Sequence, residues 1–237
     1  MTVRTDPGVA LILVLLVTSF LSAVGLGLAL VVFMEQLAGG NHRGSVAMLY
    51  AADAGIELAA RDLALAEDWN GVLAGTNRGS FTDGPPAGVR VIPGGGAVSL
   101  TAETNLLNCG KRTTCTPGQM DANSRERPWA ANNPRWRLYA HGAFQDLVEA
   151  VRPVACYLAV WVADDSREQD ADPGADAEAG EPGRGIVRVR AEVFGPMGGR
   201  RAIEAELARV CRRQDGEEDC LPGIRVQSWQ ELRELIP

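Results

Sequence analysis

Histidine is almost missing from this 237-residue chain: only His42 and His141 are present. A Ser–His–Asp site has a single usable imidazole, His141, and no Gly-x-Ser-x-Gly elbow exists to present a serine. His141 lies in a strand-like stretch and reads as an ordinary strand residue. Phosphate-loop chemistry is excluded as well. Gly94-Gly95-Gly96 is not followed by Lys-Ser/Thr and opens no predicted helix. The five cysteines, Cys109, Cys115, Cys156, Cys211 and Cys220, lack the two-residue gaps of a zinc site. Basic residues are almost all arginine and form no stripe, and the net charge is −7. That balance argues against nucleic-acid binding as a main role. There is no repeat of fixed period. Trp129, Trp136, Trp161 and Trp229 read as core or interface residues. No catalytic residue, cofactor site or enzymatic role is expected.

Charge itself is absent from Val9 to Phe33, a run of 25 residues. As a helix rising roughly 1.5 Å per residue it covers about 37 Å, enough to cross a hydrocarbon core of roughly 30 Å. Only Met1-Thr-Val-Arg-Thr-Asp-Pro-Gly8 precedes it. A secretory signal needs a basic start and an apolar core of about 7–15 residues. Here Arg4 is balanced by Asp6 and the run is far too long. Small residues Ala38, Gly39 and Gly40 follow the run, so removal of the segment there stays open, as does a plain single-pass anchor.

From Met34 to Asp68 the pattern is helical and amphipathic. Val46, Leu49, Tyr50, Ile56, Ala60 and Leu63 recur at helical spacing on an alanine-rich background, with Arg43, Asp53, Glu57, Arg61 and Asp62 mostly between them. Gly39-Gly40-Asn41 predicts a weakened or kinked stretch.

A short hydrophilic leader ending in Gly8, followed by the retained apolar run Gly8-Val-Ala-Leu-Ile-Leu13, resembles the N-terminus of type IV pilin-like proteins. Leu37-Ala-Gly-Gly-Asn41 and Ala51-Ala-Asp-Ala-Gly-Ile-Glu-Leu58 sharpen the resemblance to PilX-type minor pilins over about the first 70 residues. Arg127 to Tyr139, Val160 to Asp165 and Arg190 to Pro196 are similar to stretches of such proteins, less closely. The resemblance implies cleavage between Gly8 and Val9 by a prepilin peptidase and methylation of the new N-terminus. It implies insertion in the inner membrane with a periplasmic C-terminal domain, and other pilin-like subunits as partners through the N-terminal helix. Typical members carry a glutamate at the fifth residue after the cut; this chain has Leu13 there. That departure favours a minor subunit at or near a filament tip over a repeating one. A pseudopilin of a type II secretion system, and a membrane-anchored periplasmic binding or enzymatic domain, remain alternatives.

The expected organisation is a leader (1–8), a transmembrane and filament-core helix (9–33), its amphipathic continuation (34–68), an irregular connection (69–134) and an antiparallel sheet region (135–237). The fold class is α+β, with the long helix packed on about four antiparallel strands. Gly88–Ile92 and Ala97–Thr101 are short β-like pieces within the connection. Trp136–Gly142, the near-continuous apolar Cys156–Ala163, and Gly185–Phe194 read as strands, the last alternating cleanly from Val187. Arg200–Val210 is composed like a helix, yet it alternates by twos after the turn Gly195–Gly199 and is assigned as a strand. Outside the cytoplasm disulfides persist. The spacings suit pairs Cys109–Cys115 and Cys211–Cys220, with Cys156 left over in a strand, although spacing alone does not determine connectivity.

The acidic loop 164–184 concentrates the acids Asp164, Asp165, Glu168, Asp170, Asp172, Asp176, Glu178 and Glu181, with Arg167 the only base before Arg184. Asp170, Asp172 and Asp176 are a weak calcium candidate, lacking the glycine and terminal glutamate of a helix–loop–helix calcium loop. The simpler expectation is a solvated loop without a bound metal.

Overall fold

Alanine, leucine and valine dominate residues 9–65, and they form one helix, α1 (Pro7–Leu65). The structure, a computed structural model, describes residues 7–123, 135–148, 154–168, 172–176, 183–214 and 217–232, without the side chains of 7, 123, 211–214 and 217–222. Met1 to Asp6, Trp129, Asp170, Glu178 and Glu181 therefore lie outside the described residues. The chain divides into two units, Met1–Gly44 and Ser45–Pro237. Helical structure is unbroken at Gly39-Gly40-Asn41, where the sequence predicts a weakened or kinked stretch. Glycine costs roughly 1 kcal/mol per helical position, and strong helix formers on both sides carry two of them.

In the second unit, a five-stranded antiparallel sheet has the order β3 (Arg137–Ala143), β4 (Tyr157–Asp164), β5 (Ile186–Phe194), β6 (Arg200–Gln214) and β7 (Glu217–Leu232). Every residue of β4 is buried, as the apolar run Tyr157–Ala163 demands of a strand covered on both faces. Leu158, Val160, Val162, Val187, Val189, Ala191, Val193, Ile203, Ala205 and Leu207 face one core together with Ala51, Ala52, Ile56, Ala59 and Leu63 of α1. Gly55 makes that contact close. A Cβ there would meet Leu158 Cδ1 at 2.8 Å and Ala191 Cβ at 3.1 Å. The short helix α2 (Asn70–Leu73) covers the β3 side of this face with Val72 and Leu73. Arg201 on β6 donates to the Ser45 hydroxyl of α1.

The opposite face buries Tyr157, Ala159, Trp161, Ala163, Trp136, Leu138 and Phe194. Its cover includes Ile92, Val98, Leu100 and Leu107, from within the stretch expected to be irregular. A hairpin of β1 (Val89–Val91) and β2 (Ala97–Ser99) runs into α3 (Leu100–Cys109), and α4 (Pro117–Asn123) follows. Ser99 caps α3 by accepting from the Ala102 N–H, and Gly110 ends it in the left-handed region at φ 69°. Trp161 donates its indole N–H to Thr104 of α3 at 2.9 Å.

A row of charges also lies on this face. Arg200 bridges Glu192 and Glu103 of α3, the latter at 2.8 Å. Arg190 contacts Glu192 at 3.3 Å and Glu204 at 3.9 Å, and Arg188 pairs with Glu204. Arg112 closes the row onto Glu103 at 2.9 Å.

Cys109 and Cys115 form a disulfide, and Cys156 is a free, buried cysteine. Burial pushes the Cys156 thiol up to about 12, which leaves it protonated. The hairpin register sets Cys211 opposite Cys220; their sulfur atoms lie outside the described residues.

Candidate functional site

The surface most unlike that of a soluble protein belongs to the first unit. Every large apolar side chain from Val9 to Phe33 is exposed, by 44% to 70%. Two of the three hydroxyls along this stretch are satisfied by the helix itself. Thr18 donates to the Leu15 carbonyl at 3.1 Å and Ser22 to the Thr18 carbonyl at 2.8 Å. Backbone groups are paired inside the helix and these side chains close on it, so the segment presents little unsatisfied polarity to a hydrocarbon phase. It is a helix long and apolar enough to cross a membrane. Gly8 and Val9 lie in its first turns, with open space where a Gly8 side chain would be and Val9 exposed. Gly25 and Gly27 also face open space.

His141, expected to be an ordinary strand residue, is fully buried on β3 and belongs to a polar cluster. Its Nδ1 lies 2.8 Å from Asp83 Oδ1 and 3.1 Å from the Tyr157 hydroxyl. Tyr157 donates to Asp83 Oδ2 at 2.9 Å, and Arg90 Nε donates to Asp83 Oδ1 at 3.0 Å. A carboxylate beside Nδ1 assigns the proton to that nitrogen, leaving Nε2 as a buried acceptor with no hydrogen-bond partner among the described residues. Through these bonds the cluster ties the loop carrying Asp83 to β3 and β4.

Burial lowers the His141 pKa, partly opposed by Asp83. Burial alone would raise Asp83, but hydrogen bonds from Arg90, Tyr157 and His141 outweigh it and hold this carboxyl below its ordinary value. Both folded-state values lie below the unfolded ones, so the unfolded chain binds more protons in acid. Their stabilisation is present above the ordinary histidine value of 6.5 and is lost as pH falls through the folded values. Thermal melts from pH 7.5 to 5 should show a decline that flattens in His141→Gln; an equal slope in both proteins would refute this.

The acidic stretch is less solvated than predicted. Asp164, Asp165 and Glu168 are buried; Arg167 Nε contacts Asp165 at 2.8 Å. Asp172 accepts from the Gly174 N–H at 3.0 Å, and Asp176 accepts from the Gly185 N–H at 2.7 Å. Two members of the calcium candidate thus spend an oxygen on their own backbone, and the third, Asp170, lies outside the described residues. Among the described residues no group of three or more His, Cys, Asp or Glu side chains could hold a metal ion.

Of the residues singled out in the sequence, Cys109 and Cys115 are brought together, and Gly8 and Val9 head the apolar helix. The Asp83–Arg90–His141–Tyr157 cluster was missed, because its members are separated by 7 to 74 residues and no local pattern joins them. Comparison with family models, curated proteins and solved structures found no match to this chain.

Proposed function

We propose that the chain is a structural, pilin-like subunit that resides in a membrane through residues 9–33 and later gives that helix to a filament. The observation that carries this reading is the unbroken exposure of its apolar side chains. Such a surface has two stable surroundings, lipid or the helices of neighbouring subunits. A prepilin peptidase acting between Gly8 and Val9 would release the helix end for assembly. Cleavage on the cytoplasmic side places the second unit in the periplasm of a cell with an inner membrane, where the Cys109–Cys115 bridge persists. Leu13 leaves the run without a carboxylate that could pair with a neighbour's amine, which supports a minor place at or near a filament tip. Partners are other pilin-like subunits and the peptidase; no nucleic acid, cofactor or catalytic role enters the proposal.

The test is co-expression of the full chain with a prepilin peptidase. The native chain should lose residues 1–8 and begin at Val9, read by intact mass. Gly8→Tyr should retain the leader. An uncut native chain, or a Gly8→Tyr variant that still begins at Val9, would overturn the proposal.

A further inference from the structure

The two borders of the five-stranded sheet are treated differently. Along β3, the passing segment 79–83 supplies a partner. Gly79 N–H donates to the Tyr139 carbonyl at 3.0 Å, His141 N–H to Phe81 at 2.9 Å, and Asp83 N–H to His141 at 3.1 Å. Along β7 no strand lies on the outer side among the described residues. Its stretch Ile224–Leu232 therefore offers outward backbone donors and acceptors, a template that another strand satisfies.

Side chains on that border specify which strand. In the β6–β7 register Leu207 opposes Val226, Ala205 opposes Trp229 and Glu206 opposes Ser228, with Gln227 the extra residue at a bulge. Directly opposite residues share a face, so Val226 and Trp229 stand on the same face as Leu207 and Ala205, and Ser228 on the other. Val226 is 48% exposed and Trp229 49%. The two sit one ladder step on either side of Ser228, since the bulge makes Val226 to Ser228 a single step. Trp229 is held in place by its indole N–H, which donates to Asp53 of α1 at 2.9 Å.

We propose that β7 pairs antiparallel with β7 of a second copy of this chain, about a two-fold axis at Ser228. In that register Ser228 meets Ser228 of the other copy. Val226 of each copy meets Trp229 of the other, so both half-exposed apolar residues gain an aromatic–aliphatic partner on one face. Arg225 falls opposite Gln230, so no like charges face one another. Any other symmetric centre within 224–232 leaves Val226 without Trp229 opposite it. The pairing stands apart from the membrane and filament reading, since it uses only the second unit.

The test is oxidative cross-linking of the full chain in membranes. Opposed residues in an antiparallel pair have Cα atoms roughly 4.5–5.5 Å apart, within disulfide reach. Ser228→Cys, treated with copper phenanthroline and dioxygen, should give a reducible dimer. Two thiols form one S–S bond and pass two electrons to dioxygen, releasing two protons. The native chain and Thr82→Cys, on the covered border, should give none above background. Adding Val226→Lys to Ser228→Cys sets a charge against the partner's tryptophan and should cut the dimer band at least fivefold. Co-expressed Val226→Cys and Trp229→Cys chains should cross-link to each other more than either does to itself. No Ser228→Cys dimer, or a band indifferent to Val226→Lys, would overturn the proposal.

Discussion

Placing arginine at both Leu21 and Val24 should drive the chain out of the membrane fraction. Each arginine near the middle of a spanning helix costs roughly 2.5–3.5 kcal/mol for insertion, so the pair costs about 5–7. Large apolar residues return only roughly 0.3–0.6 kcal/mol each on the same scale. With Leu21 and Val24 replaced, fifteen of the seventeen exposed ones between Val9 and Phe33 remain, and their contribution of about 4.5–9 kcal/mol offsets the pair with little to spare, before the cost of the serines, threonine and glycines. Carbonate-washed membranes should retain the native chain and a Leu21→Ala/Val24→Ala control, and lose most of the doubly charged variant. Equal retention of all three would show that the helix is held by something other than its apolar surface.

Glu192→Ala should be the most damaging single truncation in the charged row of the sheet, at about 3–5 kcal/mol, the cost of leaving buried charge unpaired. Glu192 is 2% exposed and is shared between Arg190 and Arg200. Arg190 is 6% exposed, and among the described residues its Nε already lacks a hydrogen-bond partner and its other carboxylate contact, to Glu204, is 3.9 Å long. Removing both charges should cost much less, so Arg190→Leu/Glu192→Leu is expected to melt closer to the native chain than Glu192→Ala does. Denaturant titration of the full chain in detergent measures the difference. A Glu192→Ala cost below about 1 kcal/mol would mean that water reaches the row.

The same row shows where sequence patterning stops being legible. Alternation in β5 identifies Val187, Val189, Ala191 and Val193 as one buried face. It says nothing of Arg188, Arg190 and Glu192 on the other, which ordinarily face water. Their surroundings are tertiary: Trp136 lies against Arg188, and Glu103 of α3 joins Glu192 through Arg200; α3 was missed even though Ser99 and Gly110 mark its ends. Strand β7 was missed for a different reason. Pro222-Gly223 interrupts it and Glu217-Glu218-Asp219 opens it with charge, so its pairing is dictated by the hairpin with β6 and not by its own composition. Asp164, Asp165 and Glu168 read as solvated by charge density alone, and only the tertiary fold buries them. The apolar run and the continuous strand β4 were legible because each is governed by burial over its whole length. The Asp83–His141 pair, 58 residues apart, leaves no periodic trace.

Segment 79–83 on the border of β3 has a consequence for how copies can add. A sheet open on both sides can add copies end to end without limit and grow into fibres. With one margin occupied by its own chain, this sheet can recruit a neighbour on one side only. An isologous pairing there uses up the free margin of both molecules, so the count stops at two.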